Sequence, residues 1–188
     1  MLDFLSPSRC QPGATTSPLR RALDGADPDV VTDLWLDGKV EIRGDLDLVE
    51  PLPGEELVRL TPRRGYLFTA DDPADAVVRL RELGVLAYDA TGALAGMAIE
   101  GEQLMRRLTD LDLETLPTSG PLLSRVPAIF LRDEGERFRV YVPQELSHDV
   151  VMAVLDTARG LTPGMSEADG IEPNSGVRLK PDPGGSGP

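Results

Sequence analysis

Three carboxylates are grouped in the stretch RRLTDLDLETLP, residues 106–117, where Asp110, Asp112 and Glu114 are each followed by a leucine or threonine. Carboxylates can act as general acid and base when one of them is desolvated or placed beside a like charge, so that its pKa rises toward neutrality. Leucines 111 and 113 interrupt this group, so an extended chain turns the acids to one side and the leucines to the other. The pattern favours a connector with inward leucines and solvated acids over a catalytic carboxylate site.

The catalytic relay of serine hydrolases uses Ser, His and Asp, and these three residue types are adjacent at Ser147, His148 and Asp149. His148 is the only histidine of the chain. Successive residues of a helix point about 100° apart, so three adjacent side chains do not face one another and cannot form the relay. We therefore expect His148 to be a surface or helix-packing residue.

The composition does not indicate metal or nucleotide chemistry. Cys10 is the only cysteine, and one cysteine with one histidine supplies no zinc or iron ligand set. An Asp-x-Asp-x-Asp-Gly calcium loop is not found in the sequence. The glycines of GALAGMAIEG, residues 92–101, lack the Gly-x-Gly-x-x-Gly order that places a pyrophosphate at a helix N-terminus.

Four aromatic residues fall in predicted strands: Trp35, Tyr66, Tyr88 and Tyr141. Aromatic residues in strands usually fill cores or cover sheet faces, and a stacking platform for a pterin or flavin is the alternative. Because no convergent polar set accompanies them, we assign no catalytic, cofactor-binding or metal-binding residue from the sequence.

The charge balance argues against two classes of partner. The 188 residues include 32 acidic and 19 basic side chains, for a net charge of −13, which disfavours nucleic acid and anionic membranes. The N-terminal sequence has no basic segment followed by an apolar run, and no window reaches the roughly 20 apolar residues of a membrane helix. A single cysteine suits a reducing compartment, so we expect a cytoplasmic protein.

The chain divides into three parts by composition. Residues 1–27 are rich in Pro, Gly, Ser and Thr and predict a flexible arm, which Leu19 and Leu23 could anchor. Residues 161–188 contain few apolar side chains, so their burial would not offset the conformational entropy lost on folding. This predicts a disordered tail. The folded domain is expected at 28–160, with halves at about 28–92 and 93–160.

The first half reads as strands followed by a helix. The dipeptide Asp37-Gly38 between two apolar runs predicts a hairpin, after which Val40 and Ile42 face the core. Further strands are expected at 56–62 and 65–70, with four residues buried: Leu57, Leu60, Tyr66 and Phe68. Asp72 followed by Pro73 predicts a helix start, and the helix should bury Val77, Leu80 and Leu83. The segments 85–90 and 93–101 should form a strand pair.

The second half repeats this order. A short helix at 101–108 and the acidic connector precede strands at 124–132 and 137–142 and a final helix at 144–160. Strand runs that end in an amphipathic helix thus occur twice, which predicts an α+β fold of two similar antiparallel-sheet-plus-helix subdomains packed as one domain.

The order of elements and the sequence pattern of residues 85–160 resemble those of the gamma subunit of heterotetrameric sarcosine oxidase, a family with the aminomethyltransferase-like folate-binding fold. The segments that carry the resemblance are VLAYDATGALAGMAIEGEQLMRRLTDLDLETLP and SRVPAIFLRDEGERFRVYVPQELSHDVVMAVLDTA. The matching positions are Asp89, Leu94, Gly101, Leu108, Asp112, Leu113, Pro117, Phe138, Val140, Val142 and Leu155.

The resemblance implies a non-catalytic accessory subunit of a sarcosine or secondary-amine oxidase complex. Its partners would be large flavoprotein subunits that hold FAD, FMN, NAD and tetrahydrofolate, and the acidic connector would cross between the subdomains. The hairpin at Asp37-Gly38 and the last helix are then the candidate docking faces. The alternative is a stand-alone protein, either a binder of a folate-like small molecule or an enzyme related to the aminomethyltransferases, because one fold hosts many functions.

Overall fold

The computed structural model describes residues 17–161, which form two antiparallel β-sheets with three α-helices. The strands are β1 (Val31–Asp33), β2 (Gly38–Arg43), β3 (Glu55–Thr61), β4 (Arg64–Thr69), β5 (Leu86–Asp89), β6 (Leu94–Glu100), β7 (Thr118–Leu122), β8 (Val126–Arg132) and β9 (Arg137–Pro143). The helices are α1 (Pro73–Glu82), α2 (Glu102–Leu108) and α3 (Ser147–Arg159). Residues 1–16 of the predicted arm and 162–188 of the predicted tail lie outside the described residues.

The larger sheet has five strands in the order β1-β6-β9-β8-β7. Strand alternation turns Met97 and Ile99 of β6, with their partners Val140 and Phe138 of β9, to one face. Helices α2 and α3 cover this face with a set of buried aliphatic side chains: Leu104, Met105, Leu108, Val150, Val151, Val154 and Leu155. Leu19, expected as an anchor of the N-terminal segment, is fully buried in the same core, and Leu23 is partly buried against it.

The smaller sheet has four strands in the order β3-β4-β2-β5, and α1 covers one face of it. The predicted start of α1 is confirmed: the Asp72 side chain accepts a hydrogen bond of 2.9 Å from the Ala74 N–H, and Pro73 occupies the first turn. Val77 and Leu80 are buried against the sheet. Leu83, expected in the core, is 41% exposed because the helix ends at Glu82.

The remaining faces of the two sheets pack against each other. Val58, Tyr66 and Phe68 come from the smaller sheet, and Ile129, Leu131 and Tyr141 from the larger one. The predicted α+β class, with antiparallel sheets that each carry helices on one face, is confirmed. The first half of the chain also contributes β1 to the larger sheet, where it pairs with β6.

Two predicted strand pairings are wrong, because the chain changes sheet at both places. Strand β1 pairs with β6, whereas β2 pairs with β4 and β5, so residues 34–37 cross between sheets instead of closing a hairpin. Glycine at position 38 allows the neighbouring strand to pack closely, because a Cβ there would lie 2.8 Å from Thr69 Cγ2. Likewise β5 pairs with β2 and β6 pairs with β1 and β9, so residues 90–93 form a second crossing.

Candidate functional site

The centre of the contact between the sheets is the ring of Tyr141. Its centroid stacks 4.2 Å from that of Phe68, and its hydroxyl donates a 2.7 Å hydrogen bond to Asp37 Oδ2 in the first crossing segment. The ring lies directly over Gly96 of β6, where a Cβ would approach Tyr141 Cε1 to 2.6 Å. Glycine at this position therefore allows the two sheets to pack around the aromatic pair.

A fully buried lysine lies beside this pair. The Lys39 ammonium donates a 2.7 Å hydrogen bond to the Asp37 carbonyl oxygen and lies 5.6 Å from the centroid of the Tyr141 ring. Burial lowers the pKa of Lys39, although the carboxylate of Asp37 and two further aspartates oppose that shift. Burial also raises the pKa of Tyr141, and the charge of Asp37 adds to the shift, so the phenol keeps its proton. The Lys39 ammonium therefore lies inside the protein, and the Asp37 carbonyl oxygen is its hydrogen-bond partner.

Ion pairs connect the sheets at one end of their contact. Arg139 of β9 bonds to Asp133 Oδ1 at 2.7 Å and, across the gap between the sheets, to the carboxylate of Glu56 on β3. Arg139 and Glu56 line a cavity of about 280 Å³, which Asp37 and Glu55 also line. Because the arginine and its carboxylates satisfy one another, this end fastens the two sheets together.

A larger cavity of about 570 Å³ lies between the sheets and reaches the tips of two hairpins. Its walls are mainly apolar and aromatic: Leu60, Tyr66, Leu94, Pro121, Pro127, Ala128, Ile129, Tyr141 and Pro143. Arg64, next to the β3–β4 turn, and Arg125, in the β7–β8 turn, also line it, and the lining contains no acidic residue. Arg64 donates through Nε to Glu41 Oε1 at 2.8 Å, whereas the exposed guanidinium of Arg125 has no ion pair among residues 17–161.

The acidic connector positions one wall of this cavity. Leu111 packs on Gly120 of β7, where a Cβ would lie 2.8 Å from the leucine Cδ2, and the Thr109 hydroxyl donates to the Pro121 carbonyl at 2.9 Å. Leu113 is fully buried. The predicted arrangement of inward leucines is confirmed. The expectation that the connector crosses between the subdomains is wrong. Both α2 and β7, which it joins, belong to the unit built on the larger sheet.

The three carboxylates of the connector, Asp110, Asp112 and Glu114, are exposed. Asp112 caps a short 3₁₀ turn by accepting the Glu114 N–H at 3.1 Å, and Glu114 pairs with Arg132 at 3.0 Å. The prediction that these acids face solvent is confirmed.

The other residues considered from the sequence do not converge either. Ser147 is buried at the start of α3 and donates to the Gln144 carbonyl at 2.6 Å, while His148 and Asp149 are exposed. Trp35 lies in the first crossing segment and not in a strand, and Tyr88 is 46% exposed on β5. Within residues 17–161 no cluster of three or more His, Cys, Asp or Glu residues could hold a metal ion. No helix in this range is long and apolar enough to span a membrane.

Sequence reasoning missed Lys39, Arg64 and the cavity itself. No signal in the sequence indicated that Lys39 is buried, because the alternation with Val40 and Ile42 places Lys39 on the side away from the core. The sequence carried no signal for the role of Arg125 either, because strand β7 and the turn after it were not predicted.

The comparisons with known proteins show the fold. No protein-family model and no curated protein matches the chain. A chain of the heterotetrameric sarcosine oxidase from Corynebacterium sp. U-96, solved in complex with pyrrole 2-carboxylate, is similar with a TM-score of 0.67 over 80% of this chain and 97% of that one, at 12% identity. The glycine cleavage system aminomethyltransferase T from Bartonella henselae has a TM-score of 0.49 over 69% of this chain and 46% of that one, at 13% identity. The first likeness confirms the fold expected from the sequence.

Proposed function

We propose that this chain is a non-catalytic accessory subunit, gamma-like, of a heteromeric flavin- and folate-linked oxidase of sarcosine or a similar secondary amine. The observation that carries the proposal is the extent of the fold likeness, which takes in 97% of a chain from a heterotetrameric sarcosine oxidase. The likeness therefore extends over nearly the whole length of one chain of such an assembly, which supports the proposal. The large flavoprotein subunits would hold FAD, FMN, NAD and tetrahydrofolate, and the complex would be cytoplasmic.

The chemistry of the contact between the sheets supports a role without catalysis. Arg139 is neutralised by Glu56 and Asp133, and the Asp37 carboxylate accepts the Tyr141 hydroxyl. Lys39, whose pKa is lowered by burial, is fully buried and bonds to the Asp37 carbonyl oxygen. An acid, base or nucleophile must reach the bond it changes, and these groups instead bond to one another.

Exposed apolar side chains support a role in assembly. Leu36, in the first crossing segment, is 73% exposed beside the half-exposed Trp35, and Leu86 and Tyr88 are exposed together on the edge strand β5. Large apolar residues that adjoin one another on a surface are typical of protein contacts. We propose the crossing segment and the exposed side of α3, which carries Met152, as docking faces for the large subunits.

The test is purification of the tagged full-length chain from its native host, with mass spectrometry and visible absorbance of what co-elutes. The proposal predicts a yellow complex that contains large flavoprotein subunits. Leu36→Glu should reduce their recovery without changing the unfolding midpoint, whereas Leu48→Glu, at a residue 51% exposed elsewhere on the surface, should leave it unchanged. A colourless chain that elutes alone would contradict the proposal.

A further inference from the structure

The 570 Å³ cavity between the sheets has the dimensions and walls of a ligand site. Small-molecule sites measure about 300–1,000 Å³ and combine apolar walls with a few polar groups that fix orientation. This cavity offers the rings of Tyr66 and Tyr141 and the side chains of Leu94 and Ile129 as walls. An occupant with one or two flat rings would match both its volume and its lining.

The charged residues that line the cavity indicate the charge of its ligand. The chain carries 32 acidic against 19 basic residues, yet the lining contains two arginines and no acid. Arg64 donates a hydrogen bond to Glu41 through Nε. Arg125 forms no ion pair or side-chain hydrogen bond within residues 17–161. A guanidinium binds a carboxylate through two parallel N–H···O bonds, so these residues favour an anionic group.

The walls are held in place before any ligand arrives. Leu111 and Thr109 fix β7 on one side, while Asp37 and Phe68 hold the Tyr141 ring on the other. A rigid cavity loses little conformational entropy on binding, which favours affinity for a small rigid ligand.

We propose that this cavity binds a small organic anion, whose carboxylate is held by Arg64 and Arg125 and whose flat apolar body lies against Tyr66, Tyr141 and Ile129. The inference goes beyond the accessory role and does not depend on it, because it concerns a ligand held by this chain alone.

The probes are 2-naphthoate and its neutral counterpart 2-naphthamide, titrated into the full-length chain by calorimetry, with methyl NMR to locate the binding. We expect the naphthoate to bind and to shift the methyl signals of Leu60, Leu94 and Ile129. The amide should bind about tenfold more weakly, because it forms no charge-assisted pair with a guanidinium.

Variants separate recognition of the anion from binding to apolar surface. Arg125→Gln should weaken naphthoate about tenfold and leave naphthamide unchanged, because Arg125 is exposed and its removal leaves the core intact. Arg107→Gln, at an exposed arginine of α2 outside the cavity, is the control and should change neither affinity. Equal affinity for acid and amide, absence of binding, or shifted methyl signals confined to Leu36 and Leu86 would each overturn the proposal.

Discussion

Removing the hydroxyl of Tyr141 tests whether a charge-assisted hydrogen bond holds the two sheets together. In Tyr141→Phe the ring still fills the space over Gly96, and the variant loses the 2.7 Å bond to Asp37 Oδ2. Hydrogen bonds to charged groups contribute about 1.5–3 kcal/mol. Asp37 is partly exposed and regains water in the variant, so the loss should fall near the lower end, at about 1.5–2 kcal/mol.

Urea unfolding followed by far-ultraviolet circular dichroism measures this loss. With a slope of about 2 kcal/mol per molar urea, the midpoint should fall by about 1 M. Tyr88→Phe is the matched control, because Tyr88 is 46% exposed, and its free energy of unfolding should change by less than about 0.5 kcal/mol. In the Asp37→Ala background, Tyr141→Phe should cost about 1 kcal/mol less than it does in the native chain.

One pattern of results would contradict a stabilising role for this hydrogen bond. If Tyr141→Phe lost no more stability than Tyr88→Phe, the bond between the Tyr141 hydroxyl and Asp37 would not stabilise the contact. Packing of the ring alone would then account for its position.

Three further predictions concern the same fold. Lys39→Met should stay within about 1 kcal/mol of the native chain at neutral pH, because an apolar side chain replaces a buried charge. The lowered pKa of Lys39 means that the native chain gains stability as pH rises through that pKa toward the ordinary value of 10.5, and urea unfolding over this window should show the gain absent in the variant. Gly96→Ala should cost about 1–3 kcal/mol through the clash with Tyr141, whereas Gly92→Ala, where a Cβ would meet nothing within 4 Å, should be nearly neutral in thermal unfolding. Asp72→Ala should lose about 1 kcal/mol with the cap of α1, and an unchanged melting temperature would contradict that role.

Local signals correctly predicted two features of the fold. Asp72 and Pro73 located the start of α1, because capping chemistry depends on a few adjacent residues. The alternation of acids and leucines around Leu113 likewise gave the correct inward and outward sides of the connector, since side-chain direction follows from backbone geometry.

Strand partners and the cavity could not be predicted in this way. The apolar pattern around Asp37-Gly38 shows which residues are buried but not which strand lies alongside, and there the chain leaves one sheet for the other. Arg64 and Arg125 are far apart in sequence, and both line the cavity only after the two sheets have packed. Their significance depends on which acids lie nearby, and that follows from the tertiary structure.

The mass of the native complex tests the accessory role most directly. The tagged full-length chain, purified from its host under mild salt, would be analysed by native mass spectrometry with its visible spectrum recorded on the same sample. The proposal predicts a flavin-containing assembly in which this chain occurs together with large flavoprotein subunits. A single species at the mass of the tagged chain alone, with no flavin absorbance, would contradict it.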